Sequence, residues 1–213
     1  MSRLRFRISM SLDGFAAGPN QSEENPLGEG GEQLHEWALG LAAWREPHGY
    51  EGGEVNASSK VIEEANRNIG ATVMGRNMFG GDGAWGDDPW NGWWGDDPPF
   101  HMPVFVVTHH AREPLAMEGG TTFHFVTDGI ESALEQAREA AGGQDIAVAG
   151  GASVGRQYLK AGLLDEIQIH VVPVLLGDGA RLFDNLGGVE VTLEATRAVE
   201  APGVSHLTYR VVK

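Results

Sequence analysis

The sequence predicts a single α/β domain over residues 1–213, with a mostly parallel central sheet, antiparallel C-terminal strands and flanking helices. Residues 3–10 alternate apolar and polar side chains, which is typical of a half-buried strand. Short apolar runs then alternate with segments of helical periodicity, as in parallel sheets with crossover helices. Three extended segments without intervening helices come last, which favours antiparallel pairing. The length suits one domain with a full core.

The first half of the chain contains two strands and two helices by its hydrophobic pattern. In the first strand, Arg3, Arg5 and Arg7 share one face, which we expect to be solvated or to form a dimer contact. Apolar residues then recur at three- and four-residue steps, as on an amphipathic helix. The predicted elements are a strand at 3–10, helices at 31–44 and about 57–68, and a strand at 71–75.

The second half alternates strands and helices and then ends in strands. Asp128 and Glu131 have the spacing of a capping box, so a helix is expected to begin there and to run to Ala141. The glycines that follow it are typical of a helix end. The predicted elements are strands at 103–108, 122–126, 146–149, about 166–175, 188–198 and 204–212, and helices at 128–141 and about 153–161.

Composition excludes several classes of function. The chain has 15 Lys and Arg against 30 Asp and Glu, a formal charge of −15, which disfavours nucleic acid and anionic membranes as partners. It has no cysteine, hence no disulfide, thiolate metal site or cysteine nucleophile. No His-Glu-x-x-His or His-x-His motif predicts a metal site. No apolar run suggests a secretory signal or a membrane helix, so we expect a cytoplasmic protein.

Three predicted strands end in groups that can hold an anion. The Gly-Gly-x-x-x-Gly stretch at 150–155 opens a helix, whose backbone N–H groups and dipole favour phosphate; the alternative is a plain glycine-rich turn. Arg76 can bind a phosphate through two N–H groups or make a surface salt bridge. Thr108 and His109 supply a hydroxyl and an imidazole, or belong to a solvated loop. Because carboxyl ends of parallel strands meet at one edge, the combination predicts a site for an anionic ligand.

Five segments in this order carry a family resemblance. They are Ser11-Leu-Asp-Gly14, Met74-Gly-Arg76, Val106-Val-Thr-His109, Ala149-Gly-Gly-Ala-Ser-Val-Gly155, and Asp165 to Gly179 with Leu182-Phe183. Over nearly its whole length the chain resembles the dihydrofolate-reductase-like superfamily. Within that superfamily it resembles the branch that contains the reductase domain of the bifunctional riboflavin-biosynthesis deaminase–reductase.

The resemblance implies an NADPH-dependent reductase that transfers hydride to a small pterin-, folate- or pyrimidine-like molecule. It assigns the cofactor contacts to Gly75 and Arg76 (adenosine-side phosphates), Thr108 and His109 (2′-phosphate), and Gly150, Gly151, Ser153, Val154 and Gly155 (pyrophosphate). Asp13 lies in the loop that closes near the nicotinamide in such enzymes. As proton donor we expect Asp13 first, Glu36 second and an ordered water third.

Departures from the family pattern leave the substrate open. Without cysteine the chain cannot carry the zinc signature of the deaminase half. Ala149 stands where riboflavin-pathway reductases usually carry an acid, and Glu32 and Glu36 are the nearest candidates for the acid that anchors a pterin. Two alternatives therefore remain: a 5-amino-6-(5-phosphoribosylamino)uracil reductase and a non-catalytic NADPH-binding module. The Gly-x-Ser-x-Gly spacing around Ser153 adds a hydrolase as a rival enzyme class.

Charge and tryptophan are concentrated in two segments. Residues 8–44 contain six acids and residues 77–111 five, with no Lys or Arg in either, so together they hold 11 of the 15 net negative charges. Because these segments would border the substrate mouth, we expect a neutral or cationic substrate without a phosphoribosyl group. The loop at 80–99 also carries four tryptophans and is expected to be a lid, a packed Ω-loop or a dimer contact.

Overall fold

The computed structural model describes residues 2–22, 24–80, 83–86 and 90–213. Glu23, Asp82 and the stretch 87–89, which belong to the acidic segments and the tryptophan-rich loop, lie outside the described residues. The strands and helices, in chain order, are β1 (Leu4–Ser11), β2 (Phe15–Ala17), α1 (Glu36–Leu39), α2 (Ala42–Arg45), α3 (Ala57–Asn66), β3 (Ile69–Gly75), α4 (Arg76–Phe79), β4 (Pro103–Val107), β5 (Leu115–Ala116), β6 (Thr122–Val126), α5 (Gly129–Ala140), β7 (Asp145–Gly150), α6 (Ala152–Lys160), β8 (Glu166–Val172), β9 (Ala180–Arg181), β10 (Thr192–Ala201) and β11 (Val204–Val212). Short 3-10 helices lie at Gly31–Leu34, Glu46–His48 and Glu118–Gly120.

Nine of the strands form one sheet in the order β10-β11-β8-β1-β7-β3-β4-β6-β5. The six strands from β8 to β6 are parallel, and β11, β10 and β5 are antiparallel to their neighbours. This confirms the predicted mostly parallel sheet with antiparallel C-terminal strands. Strand β1 is central, between β7 and β8. The backbone N–H of Leu4 donates to Asp165, and that of the preceding Arg3 donates to Asp145.

Helices α5 and α6 cover one face of the sheet and enclose the main apolar core. Phe6 and Val148 lie on this face with Val154 and Tyr158. The Tyr158 hydroxyl is buried and donates to the Ile130 carbonyl at 2.8 Å, so the large side chain has no unsatisfied polar atom.

The other face is covered in two different ways. Over β3, β4 and β6, which we call the aromatic half, residues of α4 and of the tryptophan-rich loop pack against the buried residues Met74, Phe79, Val104, Val106 and Phe123. Over β1, β8 and β11, which we call the polar half, α1 and α3 cover the polar side chains Arg7, Ser9, Gln168, His170 and His206. The predicted solvated arginine face is therefore wrong beyond Arg3, because Arg5 pairs with Glu166 and Arg7 is half-buried beneath α3.

Two predicted elements differ from the structure. The single helix at 31–44 is wrong: Leu41 is extended and bridges to Glu54, which separates α1 from α2. The predicted capping box at Asp128 is also wrong, because that side chain makes no capping hydrogen bond. A capping box occurs instead at α3, where the Asn56 side chain accepts from the N–H of Ser58 at 2.8 Å and Ser59 accepts from the N–H of Asn56.

Within the described part of the chain, no helix combines the length and the apolar character needed to cross a bilayer.

Candidate active site

The glycine-rich ends of β3 and β7 meet at the carboxyl edge of the sheet. A Cβ atom on Gly75 would lie 2.9 Å from a methyl group of Val154 and 3.8 Å from the backbone nitrogen of Gly151. Only glycine therefore lets β3 approach the first turn of α6 this closely. Gly150 and Gly151 are joined by a cis peptide bond. A Cβ atom on Gly151 would meet no atom within 4 Å, so the backbone there faces open space.

Of the five residues assigned to the pyrophosphate loop, the four from Gly151 onward divide into two groups. Gly151 forms the N-cap of α6, where the helix dipole favours an anion, and Ser153 is exposed in the first turn. Val154 and Gly155 instead face the core, since Val154 is buried and a Cβ atom on Gly155 would lie 2.3 Å from the Phe6 ring. We conclude that Val154 and Gly155 fix the position of α6, while Gly151 and Ser153 face outward, where their backbone is open to a ligand.

A tryptophan links the ends of β3 and β4. Arg76 opens α4, and its guanidinium carbon lies 3.7 Å from the centroid of the Trp85 ring. The indole N–H of Trp85 donates to the backbone carbonyl of His110 at 3.0 Å. Thr108 is buried and accepts a hydrogen bond from the N–H of His110, whereas His109 is exposed. The sequence singled out Trp85 only as one of four tryptophans in the loop at 80–99 and indicated no partner for it.

The other loop tryptophans pack onto the same part of the sheet. The indole N–H groups of Trp90 and Trp93 donate to the carbonyls of Phe79 and Met78, each at 3.0 Å. Trp94 stacks parallel to Phe123, with ring centroids 5.9 Å apart. Of the three expected roles of this loop, these contacts favour the packed loop.

Asp13 is held as an ionised carboxylate between two loops. It accepts hydrogen bonds from the Ser11 hydroxyl at 2.5 Å and from the N–H groups of Gly177 and Leu176. The Ser11 hydroxyl above all, and the two N–H groups, keep the pKa of Asp13 below its ordinary value. A carboxylate held in this way positions the loop between β1 and β2 and is a poor proton donor at neutral pH.

Glu36 is the second expected proton donor. It is the first residue of α1, is exposed, and makes no side-chain hydrogen bond or ion pair with another residue of the described ranges. Glu32, in the preceding 3-10 helix, is exposed as well. Both carboxylates are therefore exposed to solvent, and the structure shows no partner for Glu36 that would hold it at a reaction site.

Arg7 and Gln168 lie side by side in the polar half, and the side-chain oxygen of Gln168 lacks a partner among the described residues. They are register neighbours on β1 and β8. The guanidinium of Arg7 donates to Asn66 at 2.8 Å and has no carboxylate within 4 Å in the described part of the chain. Burial, and then the neighbouring Arg5, lower the pKa of Arg7 to about 10. The side-chain oxygen of Gln168 is buried and lacks any hydrogen-bond partner among the described residues.

A hydrogen-bonded imidazole pair lies beside them. The Nδ1 atoms of His170 and His206 are 2.7 Å apart, and Nε2 of His206 lies 2.9 Å from the Ser58 hydroxyl. The Trp37 ring packs against both imidazoles at centroid distances of 4.9 and 5.0 Å. One Nδ1 must donate and the other accept, so the two neutral rings are opposite tautomers.

Both imidazoles are held in the neutral form. Burial is the main cause, and it lowers the pKa of His206 to about 4, with a contribution from Arg197. The pKa of His170 lies well below its ordinary value because of burial and then of Arg7, His206 and His35. The sequence did not single out either histidine, since the residues meet only through strand pairing between β8 and β11.

The rival interpretations receive no geometric support. The Ser153 hydroxyl accepts a weak hydrogen bond from Gln157 of the same helix at 3.5 Å, and no described imidazole lies within hydrogen-bond distance of it. A nucleophilic serine needs such a base. Among the described residues, no three His, Asp or Glu side chains are grouped so that they could hold a metal ion.

Comparison with known proteins identifies relatives in sequence and in structure. A family model described as the RibD C-terminal domain matches residues 3–204. Curated protein sequences give no significant match. A Shewanella protein described as a riboflavin biosynthesis protein superposes over 100% of both chains with 21% identity and a TM-score of 0.64.

Two further structures share the fold. A diaminohydroxyphosphoribosylaminopyrimidine deaminase/5-amino-6-(5-phosphoribosylamino)uracil reductase from Thermotoga maritima is 12% identical, with a TM-score of 0.58. The match covers 99% of this chain and 57% of that one. Dihydrofolate reductase from Enterococcus faecalis, complexed with NADP(H), is 14% identical over 99% and 97% of the two chains, with a TM-score of 0.52.

Proposed function

The chain belongs to the RibD C-terminal domain family, and from this premise we propose that it is an NADPH-dependent reductase of a small nitrogen heterocycle. The observation that carries the proposal is the close approach of Gly75, at the end of β3, to the Gly150–Gly151 turn at the start of α6. It places two glycine-rich strand ends and a helix N-terminus side by side, which is suited to a dinucleotide.

The residues at this edge fit NADPH. Gly151 and Ser153 present backbone N–H groups at the start of α6, where a pyrophosphate would be stabilised. Arg76 adds positive charge at the end of β3, and Thr108 and His109 lie beside it at the end of β4. NADPH supplies the hydride when it is bound; the protein orients the reactants and excludes water.

The polar half supports a heterocyclic substrate with a lactam group. Strand β1 adjoins β7, so the polar half lies next to the Gly150–Gly151 turn. Within the described ranges, the side-chain oxygen of Gln168 lacks a hydrogen-bond donor, and no carboxylate pairs with the N–H groups of Arg7. Adjacent N–H and C=O groups, as in a pterin or a pyrimidine, complement this pair.

Charge and proton supply complete the proposal. The acidic segments favour a substrate without phosphate, and the 5-amino-6-(5-phosphoribosylamino)uracil substrate of riboflavin biosynthesis is the alternative. Because Asp13 is tied to Leu176 and Gly177, we assign it the positioning of the loop between β1 and β2. The proton that accompanies hydride transfer then comes from an ordered water.

Cofactor binding and turnover test the proposal separately. NADPH is expected to bind much more tightly than NADH. Arg76→Ala should reduce this difference in affinity. Equal affinities for the two cofactors in the parent protein would refute the cofactor assignment. NADPH oxidation is then followed with pterins, folates and pyrimidines, with and without a phosphoribosyl group. Turnover of an unphosphorylated heterocycle supports the main proposal, and exclusive turnover of the phosphoribosyl compound supports the alternative. Tight binding of NADPH without turnover of any compound supports the non-catalytic module.

A further inference from the structure

Two guanidinium groups share the ring of Trp85. The guanidinium carbon of Arg76 lies 3.7 Å from the ring centroid and that of Arg112 lies 4.8 Å from it. Arg112 also lies 5.1 Å from the centroid of the Phe125 ring. Both distances to Trp85 are within the range of cation–π attraction, so one indole gathers two positive charges at the edge of the sheet.

Contacts to the loop hold Arg112 in place and leave part of its donor set unused. One terminal nitrogen donates to the carbonyl of Trp90 at 2.6 Å and the other to the side-chain oxygen of Asn91 at 2.7 Å. A guanidinium has five N–H donors, and a stacked guanidinium presents them at its edge. No carboxylate lies within 4 Å of Arg112 in the described ranges. Burial lowers the pKa of Arg112 because it disfavours the charged guanidinium, and a bound anion would stabilise that charge.

The pair lies where the adenosine end of the cofactor is expected. Trp85 donates to His110, which directly follows the Thr108-His109 segment at the end of β4, and Arg76 marks the end of β3. We propose that Arg112, which packs on the same Trp85 ring as Arg76, binds the 2′-phosphate of NADPH and determines the preference for NADPH over NADH. This inference rests on the proposed function.

The chemistry of the two cofactors makes the inference specific. NADPH and NADH differ only in the phosphate on the adenosine 2′-oxygen, a dianion at neutral pH. The guanidinium of Arg112 can bind this phosphate through charge-assisted hydrogen bonds, which are among the strongest in proteins. Arg112 should therefore affect ligands that carry the 2′-phosphate and leave those without it unchanged.

The test compares the affinities of the full-length protein for NADPH, NADH, 2′,5′-ADP and 5′-AMP by titration calorimetry. Arg112→Gln is expected to weaken NADPH and 2′,5′-ADP about tenfold and to leave NADH unchanged. Arg45→Gln is the matched control, because Arg45 also lies over an aromatic ring, that of Tyr50, and donates to backbone carbonyls. It is expected to change none of the four affinities.

A second variant separates charge from loop structure. Asn91→Ala removes one anchor of Arg112 and keeps the guanidinium, so the ratio of NADPH to NADH affinity should stay near that of the parent. An equal loss of NADPH and NADH affinity in Arg112→Gln, or a loss of preference in Asn91→Ala as large as in Arg112→Gln, overturns the inference. If the parent protein binds neither cofactor, the proposed function itself fails. If Arg112→Gln keeps the parent's preference for NADPH, only this inference fails.

Discussion

The aromatic half and the polar half cover the same face of one sheet with opposite chemistry. In the aromatic half, Phe123 is fully buried among the rings of Phe79, Phe100 and Trp94. In the polar half, the corresponding layer is a pair of hydrogen-bonded imidazoles, His170 and His206, beneath Trp37. The two halves also differ in whether their polar atoms have hydrogen-bond partners.

In the aromatic half, the polar atoms of three loop tryptophans are paired with backbone carbonyls. In the polar half, the side-chain oxygen of Gln168 has no partner and Arg7 has no carboxylate within 4 Å among the residues that the structure describes. A buried polar atom that lacks a partner is a group that a ligand can satisfy. We therefore propose the polar half, with Gln168, as the part of this face that binds the substrate.

The largest expected effect concerns the aromatic half. Phe123→Ala should lower the free energy of unfolding by about 4 kcal/mol, because it leaves a cavity among packed rings. Urea unfolding at pH 7 and pH 5 measures the loss, which should be the same at both values. Phe183→Ala, at a residue that is 41% exposed, should cost less than about 1 kcal/mol. A similar cost for the two substitutions would contradict the packing described for this half.

The next effect concerns the polar half and depends on pH. The pKa of His206 is lowered to about 4 in the folded protein, whereas an unfolded histidine titrates near its ordinary 6.5. As the pH falls below about 6.5, the unfolded state binds the proton first, so stability is full above that value and is lost toward pH 4. The expected loss is about 2 to 3 kcal/mol, and His170 adds to it in the same direction.

Urea unfolding between pH 7 and pH 4 measures this loss. His206→Gln should flatten the dependence on pH, while His109→Gln, at an exposed residue, should leave it as in the parent. Equal slopes in the parent and in His206→Gln would show that the imidazole pair is not kept neutral by the fold.

A smaller effect concerns Asp13, where β1 of the polar half ends. Asp13→Asn should lower kcat/KM by less than about tenfold, because a positioning role is weakened and no proton donor is lost. The pH profile of turnover should keep its shape. Removal of a general acid would cost about 100-fold or more. A loss of that size, together with a shifted profile, would return Asp13 to the role of proton donor.

The smallest effect concerns Glu36, on the outer side of the helices that cover the polar half. Glu36→Gln should change kcat/KM by less than about twofold, because the carboxylate is exposed and makes no described contact. Steady-state kinetics measures this change, with the pterin, folate or pyrimidine that supports NADPH oxidation as substrate. A large loss would mean that α1 turns toward the substrate during the reaction.

The sequence predicted what depends on local pattern. The alternation in β1, the sheet type and the helices α3, α5 and α6 were all visible in residue periodicity. The close approach of Gly75 to the Gly150–Gly151 turn could also be predicted, because parallel strands bring their carboxyl ends together. Leu41 interrupted a periodic helix because its extended backbone pairs with Glu54, a contact that periodicity does not report.

The polar half could not be predicted, for a different reason. Ser58, His170 and His206 come from α3, β8 and β11, and no spacing along the chain announces their meeting. The partners of Asp13 at residues 176–177 lie beyond β8 and are likewise invisible until the strands are in register. Such contacts depend on which strands become neighbours in the folded sheet.

The central position of β1 constrains the order in which the molecule can assemble. Both of its neighbours, β7 and β8, come from residues beyond 144, so its pairing must await synthesis of most of the chain. Contacts between such distant residues slow folding, because a long loop must close before they form. During that interval Arg3, Arg5 and Arg7 keep an otherwise apolar strand charged, which opposes its pairing with other nascent chains. The arginines that form ion pairs and hydrogen bonds in the folded protein would first protect the unpaired strand against aggregation.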